Sequence, residues 1–366
     1  MKQLLRLVPI SLALAFLGAC NKSEPAPAPT PATAPSAAAE KPSAAAAPSV
    51  GAAAAVAPAE VPLGPELKIA YSDWPGWVAW EIAIQKGWFK EVGVNANFKW
   101  LNYVPTMEAY SAGKVDAVAV TNGDALVTGS SGARSVCILA NDYSNGNDMV
   151  VAKPGIKSVA ELKGKKIGVE KGFVDHLLLL NALKAAKLTE KDVKLVNIKT
   201  DDAAQSLKSG SVDAVAAWQP NSGAALKEVP GSTAVYTSAD APGLIYDHLC
   251  VNPKSLAEHR ADWVKVVKVW FRVADFLADE KNLDEAAKIM SARVGLKPDE
   301  YKALMKGTFI LDKAGNLKHF AKGDGMDSIF GSSKIVDDFN VKNGVYKKPM
   351  KIEDYFDTTL MEEAAK

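Results

Sequence analysis

The sequence predicts an α/β protein of two doubly wound lobes joined by a two-segment hinge, with extra C-terminal helices packed on the first lobe. Three observations carry that expectation. First, a phrase is written twice: "SAGKVDAVAV" (Ser111–Val120) returns as "KSGSVDAVAAW" (Lys208–Trp218), so that Gly113, Val115 and Asp116 answer Gly210, Val212 and Asp213. Second, three more blocks recur at a similar distance, for a common offset of 97 to 99 residues: Leu67–Trp77 with Lys165–Asp175, Val94–Leu101 with Val193–Thr200, and Asn147–Pro154 with Tyr246–Pro253. Short matches that share one spacing indicate a repeated fold unit. Third, the C-terminal third changes character, and "DWVKVVKVWFRVADFLAD" (Asp262–Asp279) is a strongly amphipathic helix.

Within each repeat the chain reads as strand, loop, helix, strand, helix, strand, loop. In the first, Val78–Phe89 has apolar residues at helical spacing, with Pro75 suited to a first turn. Val104–Ala112 is a second helix, stopped by Gly113, and Val115–Val120 is a short buried strand. His176–Ala186, Asp202–Ser209 and Val212–Ala216 repeat the pattern. Strands alternating with helices imply parallel sheets, whose ligands bind beyond the carboxyl ends of the strands. On that logic the phrase is written twice because each lobe ends a strand at a shared cleft. Segments 141–152 and 244–253 are the expected crossings between lobes, and two crossings make a hinge. Residues 284–294 and 298–306 also read as helices.

The domain organisation follows. Residues 1–19 carry Lys2 and Arg6, an apolar run from Leu7 to Leu17 and small residues before Cys20, the pattern of a secretory signal. The run is too short to span a bilayer, which takes about 20 residues. Leu17-Gly18-Ala19-Cys20 resembles the lipobox of bacterial lipoproteins, which implies cleavage before Cys20 and a lipid on its sulfur; an ordinary signal with a chance Cys is the alternative. Residues 20–65 form an Ala/Pro-rich linker expected to be disordered. Residues 66–366 form the binding domain, with lobe 1 at about 66–146 and 252–366 and lobe 2 at about 152–245. The net charge of +1 and the lack of basic runs argue against a nucleic-acid binder. Besides Cys20 only Cys137 and Cys250 remain, compatible with a disulfide or with two buried thiols.

"GWFKEVGVNANFKW", "MEAYSAGKVDAVAVTNGDAL" and "AAWQPN" resemble the substrate-binding proteins of bacterial ABC importers in the nitrate/sulfonate/taurine class. "SDWPGWVAWEIAIQKG" and "NDYSNGND" resemble more particularly the subgroup associated with urea or guanidine carboxylase genes. The resemblance implies a type II periplasmic-binding-protein fold, a small solute and a membrane permease as partners, no cofactor, a monomer, and a place on the periplasmic side of a bacterial membrane.

The cleft loops expected from the repeat are Ser72–Trp77, Thr121–Asp124, Asp142–Asp148, Glu170–Asp175 and Trp218–Asn221. They hold Asp73, Asp124, Asp148, Glu170 and Asp175 beside Trp74, Trp77 and Trp218, with one Lys (Lys171) and no Arg. The candidate ligand-binding residues are Asp73, Trp74, Trp77, Asn122, Asp124, Asp148, Asp175, Trp218, Gln219 and Asn221. Carboxylates beside indole faces suit a cation, and urea would use the same carboxylates as acceptors. Acids that follow strands also cap helices, and anions can be held without Arg by backbone N–H groups, so an anion of the nitrate, taurine or alkanesulfonate class is the second expectation. A pyrimidine-synthase-like enzyme ranks lower. The chain has no Gly-x-Ser-x-Gly elbow and no Cys-x-x-Cys or His-x-x-x-His spacing, and its four histidines are scattered. His176 beside Asp175 is the one hint of acid–base chemistry. No catalytic residue and no metal ligand is expected.

Overall fold

The structure, a computed structural model, describes residues 61–366; the expected signal segment, Cys20 and most of the Ala/Pro-rich linker lie outside the described residues. Among the described residues, eleven strands form two sheets. They are β1 (Glu66–Tyr71), β2 (Asn95–Trp100), β3 (Ala117–Thr121), β4 (Val136–Ser144), β5 (Met149–Ala152), β6 (Lys166–Val169), β7 (Lys194–Asn197), β8 (Ala214–Ala217), β9 (Thr233–Thr237), β10 (Tyr246–Val251) and β11 (Thr308–Ile310). The first sheet has the order β11-β4-β10-β3-β1-β2 and the second β7-β6-β8-β5-β9. The centres of the sheets, "AVAVT" in β3 and "AVAA" in β8, are buried at every residue, as continuous apolar runs covered on both faces must be.

The sheets are mixed rather than purely parallel. β1 runs parallel to β2 and β3, and β6 parallel to β7 and β8. β10 is inserted antiparallel between β3 and β4, and β5 lies antiparallel to β8. The direction has a simple cause. β10 and β5 are the strands by which the chain enters a sheet from the other one. Each starts at the end where β3 and β8 finish, so each must run back against them. The chain passes between sheets at residues 145–148 and 238–245. The second passage comes earlier than the expected 244–253, because Tyr246–Val251 is already a strand of the first sheet.

The strands of the repeated phrase, β3 and β8, both finish at the space between the sheets, and the phrase also does a second task at their other ends. Asp116 stands at the start of β3, at the end remote from the cleft. Its carboxylate accepts the Lys68 N–H at 2.8 Å while its own N–H donates to the Lys68 carbonyl at 2.8 Å. Asp213 does the same to Lys166, at 2.9 and 2.7 Å. Each Asp thus pins a third strand to a first. Their carbonyls are also equivalent, accepting from Asn252 and Lys153 respectively. Gly113 and Gly210, at φ 67° and 83°, take the left-handed conformation that ends the preceding helix.

The expected helix at Val78–Phe89 is three short pieces, Pro75–Val78, Trp80–Gln85 and Trp88–Glu91, the last entered through Gly87 at φ 72°. Its apolar residues are buried nearly all round. The first sheet lies on one side, and the helices Arg260–Ala278 and Leu283–Val294 lie on the other. Trp80 meets Phe98 of β2 and Trp270 of the long helix, with ring centroids 5.6 and 4.7 Å apart. Cys137 and Cys250, opposite each other on β4 and β10, form a disulfide.

Replacing Asp116 or Asp213 with Ala should each lower unfolding stability by about 1 kcal/mol, the usual net value of one hydrogen bond. The two losses should add in the double variant, because the sites lie in different sheets. Urea or thermal melts of the three variants measure this; a loss confined to one Asp would refute the equivalence.

Candidate functional site

The two passages between sheets are tied together. The Ser144 and Ser238 hydroxyls lie 2.6 Å apart, and Ser238 also accepts the Gly146 N–H at 2.7 Å. Asn147 is anchored to the helix Pro298–Met305 through Leu304 O at 2.6 Å and to β11 through Thr308 Oγ1 at 2.8 Å. Its carbonyl accepts from Gln219 N and Ser222 Oγ, both of the second-sheet unit, at 3.1 Å. This is a short, well-bonded hinge beside the cleft.

Between the sheets lies a cavity lined by Trp74, Trp77, Tyr103, Thr121, Asp148, Val174, Trp218, Ile245 and Asp247. It sits where β1, β3, β6 and β8 finish, the position expected for such sheets. Its volume is about 10 Å³, room for about one water molecule, so the two units are nearly shut on it. A wider groove of about 740 Å³ runs along the flank of the first-sheet unit past Leu277, Met290, Met305 and Phe309. The smaller cavity is the better candidate because both units contribute to it and because unpartnered polar atoms converge there. Aromatic rings form much of its wall: Trp77 stacks on Tyr103 at 5.3 Å, and Tyr103 meets Trp218 edge-on at 5.2 Å.

Four of the ten candidate residues line this space: Trp74, Trp77, Asp148 and Trp218. Asp124 stands directly behind it, its Oδ2 accepting from Tyr103 Oη at 2.7 Å and its N–H capped by Thr121 Oγ1 at 3.1 Å. Asp175 is buried next to Val174, with both carboxylate oxygens unpartnered. The other four do different work. Asp73 accepts from Trp218 Nε1 and from Asn221 Nδ2, each at 3.3 Å, and so clasps one unit to the other outside the cavity. Asn122 bonds Ser332 and the Tyr246 N–H within the first-sheet unit. Gln219 turns back to accept the Gly223 N–H at 3.2 Å. His176 is not coupled to Asp175; its Nδ1 accepts from Gly172 and its Nε2 faces Glu190.

Sequence reasoning missed Tyr103, Ile245 and Asp247 as wall residues, and it placed Thr121 and Asp142 in cleft loops without counting them as candidates. Asp247 had a visible signal, since it is the repeat partner of Asp148. Asp142 lay inside an expected cleft loop. It accepts from Trp74 Nε1 at 2.9 Å and packs so closely on Gly76 that a Cβ there would come 1.8 Å from its Oδ2.

Five aspartates, Asp124, Asp142, Asp148, Asp175 and Asp247, are thus buried around one small space, each at most 2% exposed. Asp148 keeps one oxygen unpartnered and the Trp77 indole N–H has no partner, while Asp142 and Asp247 share a proton-mediated contact between neighbouring strands. Burial pushes Asp124, Asp142 and Asp148 up to about 7. Asp175 and Asp247 are driven well above the ordinary range, by burial first and by neighbouring carboxylates next. No lysine, arginine or histidine acts on any of the five. Asp73 is pushed up to about 6 by burial, against the pull of its Trp218 bond. Among the described residues, no three metal-binding side chains stand close enough together to hold a metal ion.

Two mixed sheets around a cleft, with a doubled chain passage at the hinge, define the fold of periplasmic binding proteins. The crystal structure of the Escherichia coli periplasmic aliphatic sulphonate binding protein SsuA superposes with a TM-score of 0.66 at 19% identity, covering 80% of this chain and 92% of that one. The periplasmic nitrate-binding protein NrtA of Synechocystis PCC 6803 does so with a TM-score of 0.66 at 12% identity, covering 82% and 88%. The chain belongs to the NMT1/THI5-like family, which it matches over residues 75–281, more than half its length. A Bacillus subtilis protein named for the binding of aliphatic sulfonates is 28% identical over 297 residues, 77% of this chain and 83% of that protein.

A carboxyl group whose pKa is raised by burial stabilises the state that buries it at low pH, and that contribution is lost as pH rises through the raised value. Closure of the empty cleft should therefore weaken between about pH 5 and pH 8. Small-angle scattering of ligand-free protein lacking the linker should give a larger radius of gyration at pH 8 than at pH 5. Equal radii would contradict burial as the cause of the shifts.

Proposed function

We propose that the chain is the extracytoplasmic solute-binding component of an ABC importer, anchored by a lipid on Cys20, and that it captures a small nitrogen-rich solute of the urea or guanidinium kind. One observation carries the choice of solute. The cavity is walled by carboxylates with unpartnered oxygens and by indole faces, and it has no lysine or arginine in its lining. Carboxylate oxygens accept N–H groups, and indole faces attract positive charge. The cavity is nearly shut, so a ligand that enters as the units part must be small.

The mechanism is closure. A solute that touches both units shifts the protein toward the closed form by its differential affinity for that form. The Asp73 clasp on Trp218 and Asn221 is available only when the units meet, so it adds to that preference. The closed surface is then what a membrane permease recognises, with the protein acting as a monomer. The second reading, an anion of the nitrate, taurine or alkanesulfonate class, draws on the names of the relatives. It would require the acids around the cavity to be protonated and backbone N–H groups to do the holding.

Calorimetric titration with guanidinium, urea, taurine, an alkanesulfonate and nitrate tests the solute class. Guanidinium or urea should bind, and Trp218→Ala should weaken that binding at least tenfold. Binding of a sulfonate or nitrate with no response to either nitrogen solute would promote the second reading. The anchor has its own test. Cys20→Ala expressed in a bacterial host should leave the protein soluble and still able to bind; a variant that stays with the membrane fraction would refute lipidation at Cys20.

A further inference from the structure

Asp148 and Asp247 occupy the same place in the two repeats. Asp148 closes the first passage between sheets, just before β5, and Asp247 is the second residue of β10, just after the other passage. Both line the cavity and both are 2% exposed; Asp148 presents one oxygen without a partner, and Asp247 shares a proton-mediated contact with Asp142 on the neighbouring strand that a ligand N–H can replace. The chain's pseudo-symmetry therefore brings two equivalent acceptors to one small space from its two crossings. The groups around them are all acidic or phenolic. Asp142 faces them from β4, Asp124 and Tyr103 from the helices Asn122–Ser130 and Tyr103–Ser111, Asp175 from the helix Val174–Ala185, and Glu170 from the end of β6. Asp73 lies outside the wall, beyond Trp218.

We propose that Asp148 and Asp247 are the specificity-determining pair of the site, gripping two N–H edges of one planar monovalent cation, so that the site selects guanidinium over the isosteric neutral urea. This rests on the reading of the site as one for a nitrogen-rich solute. The charge argument is direct. An ionised carboxylate in this space has no protein cation to offset it, and burying it alone is costly. A neutral ligand therefore demands that every acid of the cluster carry its proton. A guanidinium ion supplies the missing charge and allows one acid to remain ionised, its proton staying with the solvent. The closed guanidinium complex then holds one proton fewer than the closed urea complex, whatever the protonation of the open form. By linkage the ratio of guanidinium to urea affinity rises with pH, by up to tenfold per unit.

The experiment is calorimetric titration of guanidinium and of urea at pH 6, 7 and 8, on wild type, Asp148→Asn and Asp247→Asn. In wild type the guanidinium-to-urea affinity ratio should climb with pH, a measurement that needs no variant. Each substitution removes one charge at nearly constant shape. Each should weaken guanidinium at least tenfold and urea less than threefold, bringing the two ligands together. A ratio flat with pH, or equal losses for both ligands in both variants, would overturn the pair as the charge selector while leaving the nitrogen-solute reading intact. If neither ligand binds wild type while a sulfonate or nitrate does, the reading of the site fails, and the proposal fails with it.

Discussion

The organising constraint of this molecule is the burial of carboxylates that no side-chain cation neutralises. Asp142 and Asp247 are cross-strand neighbours in the first sheet and Asp124 follows the adjacent β3, while Asp148 and Asp175 join them where the two sheets meet at the ends of their central strands. Desolvation raises the cost of charge there, and each acid raises it further for its neighbours. The aromatic wall, the hinge beside Asp148 and the Asp73 clasp are all arranged around a space that is uncomfortable when empty. Such a space has low intrinsic stability in its closed form. Under the proposed closure mechanism, that places the decision to close with whatever enters.

The repeat explains why the site is bipartite. Two copies of one unit each contribute a first strand, a helix start and a third strand, and the pinning aspartates Asp116 and Asp213 hold those strands in register at the end remote from the cleft. A fixed remote end leaves the cleft end free to vary. The first unit uses that freedom for Trp74, Trp77 and Thr121, and the second for Val174 and Trp218. The C-terminal helices add nothing to the cavity wall but cover the outer face of the first unit, where Trp80, Trp263 and Trp270 are fully buried.

Much of this was legible before any coordinates. The common offset revealed the repeat, the alternation of strands and helices revealed two sheets, and the acids and tryptophans after strands marked the cleft. What escaped has physical reasons. Period and propensity do not report strand direction, so the antiparallel entry of β5 and β10 was invisible. Asp116 and Asp213 stand out as repeat partners, but a repeated residue announces equivalence and not its task, so their pinning bonds to Lys68 and Lys166 stay hidden. Tyr103 reaches the cavity from the start of a helix, through a long side chain whose direction the sequence does not encode. Asn122 and Gln219 sat in the right loops but turned their amides to the backbone and to Ser332. Asp247 was recognisable only if the symmetry of the repeat was carried through to its last block.

The disulfide has a topological consequence. Cys137 and Cys250 lie in the first sheet, one before the chain leaves it and one after the chain returns, 113 residues apart. Every strand of the second sheet falls between them. The second unit is therefore a covalently closed ring rooted in its neighbour, and its two hinge strands emerge from one cross-linked base. In a chain-entropy picture, closing a loop of that length removes several kcal/mol of freedom from the unfolded ensemble. If the second unit melts or is cut once by a protease, its ends stay beside the sheet they came from. Both chain passages thus begin from one cross-linked base inside the first sheet.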